Sequence, residues 1–280
     1  MRIRIFSFIL LLVLNLYANE RIISLSPSIT EMIYALGKDK SLVGTSSYSL
    51  YPKEAQKIKV VGSYTNPHIE KILALRPTLV VGQTFNHATL KKLKYFHIQT
   101  LMLNLQTIKS IKNSIKILAH KLNSKKDKKL IDTIDAEIKK ARKTKTPHSV
   151  MIVYGLRKDL RSSVYIAGKN IFFDEIIELC GNKNAYNNSI TSQPVLSYEN
   201  IIALNPQQII ILHSHATEPN INIKEALDAW YKIPTLASKY KNISIVDEDY
   251  LHIPSHRIAL TIKRLSLEMN KYKKGDRCRH

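Results

Sequence analysis

The sequence predicts an α/β fold of two similar lobes, and a repeated octad is the first observation behind this prediction. Glu70–Pro77 (EKILALRP) returns as Glu199–Pro206 (ENIIALNP). Each copy ends at a proline, which stops a helix, and then enters an apolar stretch typical of a buried strand, 79–81 and 209–211. The copies lie about one domain length apart, since domains commonly span ~100–150 residues. Strand and helix patterns also alternate along the chain, which predicts two Rossmann-like lobes with central parallel sheets.

The first half alternates short strands with short helices. A capping box of Ser28 and Glu31 is expected to open the first helix, which closes at Gly37. Asn66, followed by Pro67, is expected to cap the helix of the first octad. Strands are predicted at 22–25, 42–44, 59–61, 79–81 and 99–103, with a further helix at 89–95.

One long helix is predicted from about 122 to 144, because Leu130, Ile131, Ile134 and Ile138 share one helical face. It falls midway between the two octads, so we expect it to join the lobes as a rigid connector. Strands follow at 150–154, 164–166, 209–212 and 243–246. The predicted organisation is a signal peptide (1–18), an N-terminal lobe (19–120), a connecting helix (121–147), a C-terminal lobe (148–270) and a basic tail (271–280).

The N-terminus predicts export. Arg2 and Arg4 precede an apolar run over 5–13, and Leu16-Tyr17-Ala18 resembles a cleavage site. No later stretch reaches the ~20 apolar residues that a membrane helix needs, so the mature chain is expected to have no transmembrane segment and to be soluble. An uncleaved signal anchor is the alternative.

The charge is strongly basic, +21 overall, with 44% hydrophobic residues. Much of the excess lies in 121–145 and in the tail 271–280, where lysine runs typically mark a solvated face. Export and the lack of a recognition motif argue against nucleic-acid binding. Attraction to an anionic ligand or an anionic membrane surface remains open.

Two cysteines, Cys180 and Cys278, are too few for a disulfide framework. Cys180 ends an apolar helical pattern and is expected in the core, whereas Cys278 lies in the basic tail. Export would permit a bridge between them, and the sequence leaves that pairing undecided.

Catalytic signatures are missing from the sequence. It contains no G-x-S-x-G elbow, Walker loop, dinucleotide glycine fingerprint or H-E-x-x-H motif. With only eight glycines, phosphate-cradling loops are not expected. The sequence therefore favours binding over catalysis, and we predict that the protein is not an enzyme.

A candidate ligand site follows from the predicted sheets, because ligands of parallel α/β sheets bind beyond the carboxyl ends of the strands. Aromatic, arginine and histidine side chains follow those ends in both halves, which suits a large, partly aromatic, anionic or metal-containing ligand. The pair His213 and His215 resembles a metal-ligand pair, whereas Pro254 prevents helical pairing of His252 with His256. These candidates are Tyr48, Tyr64, Phe85, His87, Arg157, Arg161, His213, His215, Tyr250, His252, His256 and Arg257.

Several segments carry a family resemblance. Residues 21–31 (RIISLSPSITE), with 34–37 (YALG) and 42–44 (LVG), resemble the opening of class III periplasmic substrate-binding proteins of ABC importers, which serve cobalamin, haem and ferric siderophores. Residues 167–169 and 178–181 resemble the entry to that family's second lobe. Ser255-His256-Arg257-Ile258 resembles the start of its final helix, and the resemblance spans almost the whole mature chain.

The resemblance implies two lobes bridged by one long helix, with the ligand cleft between them, in a monomeric periplasmic protein. It implies that Glu70 and Glu199 dock on the two permease subunits, which work with ATPase subunits. From position alone, these glutamates are either helix-start charges favoured by the helix dipole or a matched pair of acidic surface groups.

The resemblance also points to ligand contacts. Tyr48, Tyr64 and Tyr165 match aromatic positions that contact the corrin in cobalamin-binding members, with Tyr64 standing where tryptophan occurs there. His213 or His215, together with Tyr250, lie in loops comparable to those that complete the iron shell in ferric-catecholate binders.

The leading hypothesis is an ABC-importer binding protein that captures a metal chelate as cargo and uses no catalytic cofactor. Iron complexes stand slightly ahead of cobalamin, because Arg157, Arg161 and Arg257 would favour an anionic chelate. A nickel or nickel–histidine carrier of the same fold is the alternative, and a metal-tetrapyrrole enzyme is a remote one.

Overall fold

The computed structural model describes residues 20–141, 143, 146–157, 159–161, 163–189, 191–214 and 222–274. The predicted signal peptide, His215, Cys278 and most of the basic tail lie outside these residues. The chain divides into two compact units. Unit 1 runs to Leu103 and includes Lys121–Ser124, and unit 2 comprises Asn104–His120 and the residues from Lys125 onward.

Unit 1 is built on a four-stranded parallel sheet with the order β2-β1-β3-β4. Apolar side chains including Ile23, Val80 and Leu93 form its core. Its strands are β1 (Ile22–Ser24), β2 (Leu42–Gly44), β3 (Leu79–Gln83) and β4 (Gln99–Leu103). Its helices are α1 (Pro27–Ala35), α2 (Ile69–Ala74) and α3 (His87–Lys94), with short 3₁₀ turns at Asp39–Ser41, Lys53–Lys57 and Thr84–Asn86.

Unit 2 holds a second four-stranded parallel sheet and a short antiparallel ladder. Its core surrounds Trp230 and includes Ile201, Ile209 and Ile211, all buried. Its strands are β5 (Ser149–Tyr154), β6 (Val164–Tyr165), β7 (Lys183–Asn184), β8 (Val195–Leu196), β9 (Gln208–Leu212) and β10 (Ile243–Val246). Its helices are α4 (Ile108–Lys121, whose last residue falls in unit 1), α5 (Asp127–Lys140), α6 (Phe172–Leu179), α7 (Tyr198–Leu204), α8 (Ile223–Tyr231), α9 (Leu236–Lys239) and α10 (Ile258–Met269), with a 3₁₀ turn at Asp249–His252.

The two sheets share one topology. Read from the opposite edge, the sheet of unit 2 has the order β7-β5-β9-β10, so its strands occupy the places of β2, β1, β3 and β4. The two octads form α2 and α7, each followed by the third strand of its sheet. Arg76 and Asn205 take the same left-handed conformation, with φ of 45° and 44°. The prediction of two Rossmann-like lobes with parallel sheets is confirmed.

Some predicted boundaries are wrong. Helix α1 begins at Pro27 rather than after Ser28, because Ser26 is the cap and its Oγ accepts from the N–H of Ile29 at 3.4 Å. Proline suits the first helical position, where its missing N–H would have no helical partner.

The predicted cap of α2 and a predicted strand are also wrong. Helix α2 follows His68 rather than Asn66, without a side-chain cap. In place of a strand at 59–61, a single bridge joins Val60 to Thr45.

The predicted long helix over 122–144 is also corrected, because its helical part is α5, Asp127–Lys140. A separate helix that was not predicted, α4, precedes it and ends at Lys121. Asn123 between them has a φ of 50°, a left-handed conformation that ends a helix. Ser124 then donates a hydrogen bond to the carbonyl of Leu36 at 2.8 Å, which fixes the turn. The connector role of 121–147 remains a prediction.

Two further features bear on the sequence predictions. Cys180 is a buried free thiol, as expected for a core position, and burial raises its pKa. Across the residues that the structure describes, no helix is long and apolar enough to cross a membrane.

Candidate ligand-binding site

The loop after β2 presents Tyr48 at the carboxyl end of the unit 1 sheet. Its side chain is 57% exposed and its φ is 63°. Beneath it lies a buried hydroxyl network, in which Thr30 Oγ1 contacts Thr45 Oγ1 at 2.7 Å. This network fixes the loop from inside the unit, so the Tyr48 ring is held in solvent by a well-anchored backbone. Its other members are Ser24, Ser46 and Ser49.

Tyr64 and Phe85 form a second aromatic group at the same end of the sheet. Their rings meet edge to face, with centroids 5.7 Å apart, and both side chains are about half exposed (44% and 51%). Asn86 is buried and joins the two loops: its Nδ2 donates to the carbonyl of Tyr64 at 2.8 Å, and its Oδ1 accepts from the N–H of Gln83 at 2.9 Å. His87 begins α3 and is exposed. The rings of this group are therefore presented by hydrogen-bonded backbone.

In unit 2, the candidate pair beyond β5 is Arg157 and Tyr165. The guanidinium carbon lies 5.5 Å from the centroid of the Tyr165 ring, a distance at which a cation attracts an aromatic face. Tyr165 is 45% exposed on the short β6–β8 ladder, opposite Val195. Among the described residues, no carboxylate pairs with Arg157. This arginine is thus available to an anionic group on a ligand.

The other two candidate arginines already have carboxylate partners. Arg161 Nε lies 3.1 Å from Asp159 Oδ1 in an exposed pair, and its hydrogen bonds lower the pKa of Asp159. Arg257 is buried, and its Nη1 lies 3.2 Å from Asp249 Oδ1. Its guanidinium carbon also lies 5.7 Å from the centroid of the Tyr250 ring. These pairings reduce the positive charge that two of the three arginines could offer to a ligand.

Three residues were proposed to contact a metal through a bound chelate: His213, His215 and Tyr250. His213 is 2% exposed, and its backbone N–H donates to the carbonyl of Val246 at 2.8 Å. His215 lies outside the described residues. Burial, followed by the charge of Glu248, raises the pKa of Tyr250, so its phenol form is favoured. Within the described ranges, no group of three or more His, Cys, Asp or Glu side chains could hold a metal ion. A metal contact through a bound chelate stays a prediction.

Glu70 and Glu199 occupy equivalent positions in the two units. Each is exposed and is the second residue of its helix, α2 or α7. Ser197 caps α7, and its Oγ accepts from the N–H of Asn200 at 3.3 Å. A hydrogen bond from the Ser197 side chain, and then one from its own backbone, lower the pKa of Glu199. Both groups are therefore surface carboxylates placed alike by the repeat.

The hydroxyl network near Tyr48 and the role of Asn86 were not predicted from the sequence. A local signal exists for the first, because small hydroxyl residues crowd two strand ends, 24–30 and 45–49. No local signal marks Asn86, since its partners Gln83 and Tyr64 are known only from the fold.

The chain matches a known protein family over most of its length. The family described as periplasmic binding protein matches residues 22–240. A vitamin B12-binding protein of Photorhabdus laumondii subsp. laumondii is 27% identical over 263 residues, which cover 91% of this chain and 90% of that protein. Another vitamin B12-binding protein, of Pectobacterium carotovorum subsp. carotovorum, is 30% identical over 200 residues, covering 69% and 71% of the two chains.

Solved structures agree on the fold. The apo form of a periplasmic heme-binding protein from Roseiflexus sp. RS-1 gives a TM-score of 0.75 at 25% identity, covering 91% of this chain and 99% of that one. A periplasmic vitamin B12-binding protein of Vibrio cholerae gives 0.73 at 24% identity, covering 91% and 98%. These relatives are binding proteins rather than enzymes, which confirms the prediction of a non-enzymatic function. The chain belongs to the periplasmic binding protein family.

Proposed function

We propose that this chain is the periplasmic substrate-binding protein of an ABC importer and that it captures a metal tetrapyrrole. The observation that carries the proposal is the set of exposed aromatic rings on anchored loops at the carboxyl end of the unit 1 sheet, Tyr48, Tyr64 and Phe85. A flat macrocycle offers each ring a large apolar face, and pre-anchored rings lose little freedom when they stack on it.

Within this class, a corrinoid stands ahead of haem. The sequence alone favoured iron chelates slightly, because three arginines would attract an anionic ligand, but Arg161 and Arg257 are paired with carboxylates. The named relatives at 27% and 30% identity bind vitamin B12, which supports the same order. Haem is the second candidate, because Arg157 stacked on Tyr165 could bind a propionate.

A ligand panel with matched variants tests the proposal. Purified protein is titrated with cyanocobalamin, haemin, a ferric catecholate and Ni²⁺, and Kd is measured by calorimetry. A tetrapyrrole should bind most tightly, and Tyr48→Ala or Tyr64→Ala should weaken its binding ~5- to 30-fold, because loss of a stacked ring removes contact worth ~1–2 kcal/mol. Tyr95→Ala is the control, since Tyr95 is an exposed tyrosine in the turn after α3.

The outcomes separate the alternatives. Failure of both tetrapyrroles to bind, or equal weakening by Tyr95→Ala, would contradict the proposal. A ferric chelate that binds best and shows a phenolate-to-iron absorption band, lost in Tyr250→Phe, would restore the iron hypothesis. Tight Ni²⁺ binding that vanishes in a His213→Ala/His215→Ala variant would support the nickel carrier instead.

A further inference from the structure

The turn after α3 carries a surface cluster that the ligand site does not use. We call it the basic–aromatic patch: Lys91, Lys92, Lys94, Tyr95 and Phe96. All five side chains are exposed, and Tyr95 is 75% and Phe96 53% exposed. All five belong to unit 1, at the end of α3 and in the turn toward β4.

The patch is presented by ordered backbone. Leu90 and Leu93 of α3 are buried in the unit 1 core and anchor the helix. In the turn, the N–H of Phe96 donates to the carbonyl of Leu93 at 3.1 Å, and the N–H of His97 donates to that of Lys94 at 3.0 Å. The two aromatic rings therefore stand in water on a fixed turn, where their exposure costs free energy unless something covers them.

The sequence on both sides of the patch carries acidic residues only at a distance. Between Glu70 and Asp127 the sequence contains no aspartate or glutamate, but it contains ten lysines and one arginine. In the part of the chain that the structure describes, none of the three patch lysines pairs with a carboxylate. Lysines at a helix C-terminus are favoured by the dipole, which gives an ordinary reason for their position. That reason does not extend to two adjacent exposed aromatic residues.

We propose that the basic–aromatic patch binds an anionic lipid surface. Lysines attract anionic headgroups, and tyrosine and phenylalanine insert at the interface between headgroups and acyl chains. Aromatic residues are also enriched at protein–protein interfaces, but lysine is depleted there. Three lysines beside the two rings therefore fit a protein partner less well than an anionic lipid surface. Such binding would keep the protein near the membrane whatever ligand it carries, and the inference does not depend on the identity of that ligand.

Vesicle co-sedimentation tests the inference with protein purified from the periplasm of expressing cells. Vesicles of phosphatidylethanolamine with phosphatidylglycerol are compared with pure phosphatidylcholine, at low and high salt. One variant removes the charges (Lys91→Gln/Lys92→Gln/Lys94→Gln) and another the rings (Tyr95→Ser/Phe96→Ser). The charge control removes three exposed unit 2 lysines, Lys125→Gln/Lys129→Gln/Lys139→Gln, and the apolar control is Leu260→Ser/Leu267→Ser.

The wild type should bind the anionic vesicles, and binding should fall at high salt. Each patch variant should lose about tenfold or more in partition coefficient, given typical contributions of lysines and interfacial aromatic groups. Both controls should bind like the wild type, and unchanged circular dichroism would show that the variants fold. Equal binding to neutral vesicles, or equal loss in the charge control, would overturn the inference. The inference would also be overturned if the patch variants bind vesicles like the wild type but no longer bind the detergent-solubilised permease.

Discussion

At the scale of single residues, His256 shows how burial sets charge. It lies just before α10, beside Arg257, and its Nδ1 is buried without a hydrogen-bond partner among the described residues. Burial first, and then the charge of Arg257, lower the pKa of His256 from 6.5 to about 4. The imidazole is therefore neutral in the folded protein at pH 7. Its neighbour Arg257 remains charged and bonded to Asp249.

This lowered pKa predicts a pH dependence of stability. The unfolded chain binds a proton near pH 6.5 and the folded chain only near pH 4, so the free energy of unfolding rises with pH between these values and falls as the solution is acidified through them. Between pH 7 and 4.5 the wild type should lose about 2–3 kcal/mol through this residue. The free energy of unfolding of His256→Leu should fall by about 2–3 kcal/mol less than that of the wild type over the same pH interval. Urea unfolding at both pH values measures the two losses.

An exposed histidine supplies the control for this measurement. His120→Gln, on the solvent side of α4, should follow the wild type at both pH values. If His256→Leu and the wild type lose the same free energy on acidification, His256 is not the group responsible.

At the scale of elements, the repeat explains why two glutamates stand at matching places. In each unit a short helix carries the glutamate as its second residue. A left-handed residue and then a proline follow the helix, and the next strand enters the middle of the sheet. Helix dipoles favour a carboxylate at both positions, so electrostatics alone would retain each one. A paired permease would need both at once, because a two-subunit partner presents two similar surfaces.

A docking role for the two glutamates predicts separate effects on ligand binding and on transport. Glu70→Ala/Glu199→Ala should leave Kd for the ligand unchanged, because both side chains are exposed at helix starts. Uptake in cells should fall ~10-fold or more, since removing charges from a docked interface leaves the partner's charges unpaired. Ligand titration and radiolabelled uptake measure the two effects.

Glu54→Ala serves as the control, because Glu54 is an exposed glutamate in the first turn of a 3₁₀ helix and belongs to neither octad. Its uptake should equal that of the wild type. Normal uptake by the double variant would leave only the helix-dipole explanation for Glu70 and Glu199.

Elements were predictable where the signal is local. Strands 99–103 and 243–246 match β4 and β10 to the residue, because short apolar runs carry their own pattern. Helix α4 was not predicted, although Ile108, Ile111 and Ile115 recur at helical spacing and are buried in the structure, and no lysine lies among the buried residues of this helix. In the candidate site, the position of Tyr48 beyond β2 followed from the pattern. The contact of Arg257 with Asp249 did not, because it depends on how the chain folds after β10.

At the scale of the whole molecule, each unit has its own hydrophobic core. Ile72 lies in the core of unit 1, and Ile201, which holds the same place in the second octad, lies in the core of unit 2. Both side chains are fully buried. The chain has a single tryptophan, Trp230, in the core of unit 2. Its fluorescence therefore reports the unfolding of one unit, whereas far-ultraviolet circular dichroism reports both.

These matched isoleucines predict which unit a substitution weakens. Replacing a buried isoleucine by alanine typically costs ~2–5 kcal/mol, because it leaves a cavity. Ile201→Ala should shift the urea midpoint of Trp230 fluorescence to lower denaturant. Ile72→Ala should leave that midpoint unchanged and instead produce an earlier loss of circular dichroism that fluorescence does not follow. A fluorescence midpoint that moves equally in both variants would show that the two cores unfold as one cooperative unit.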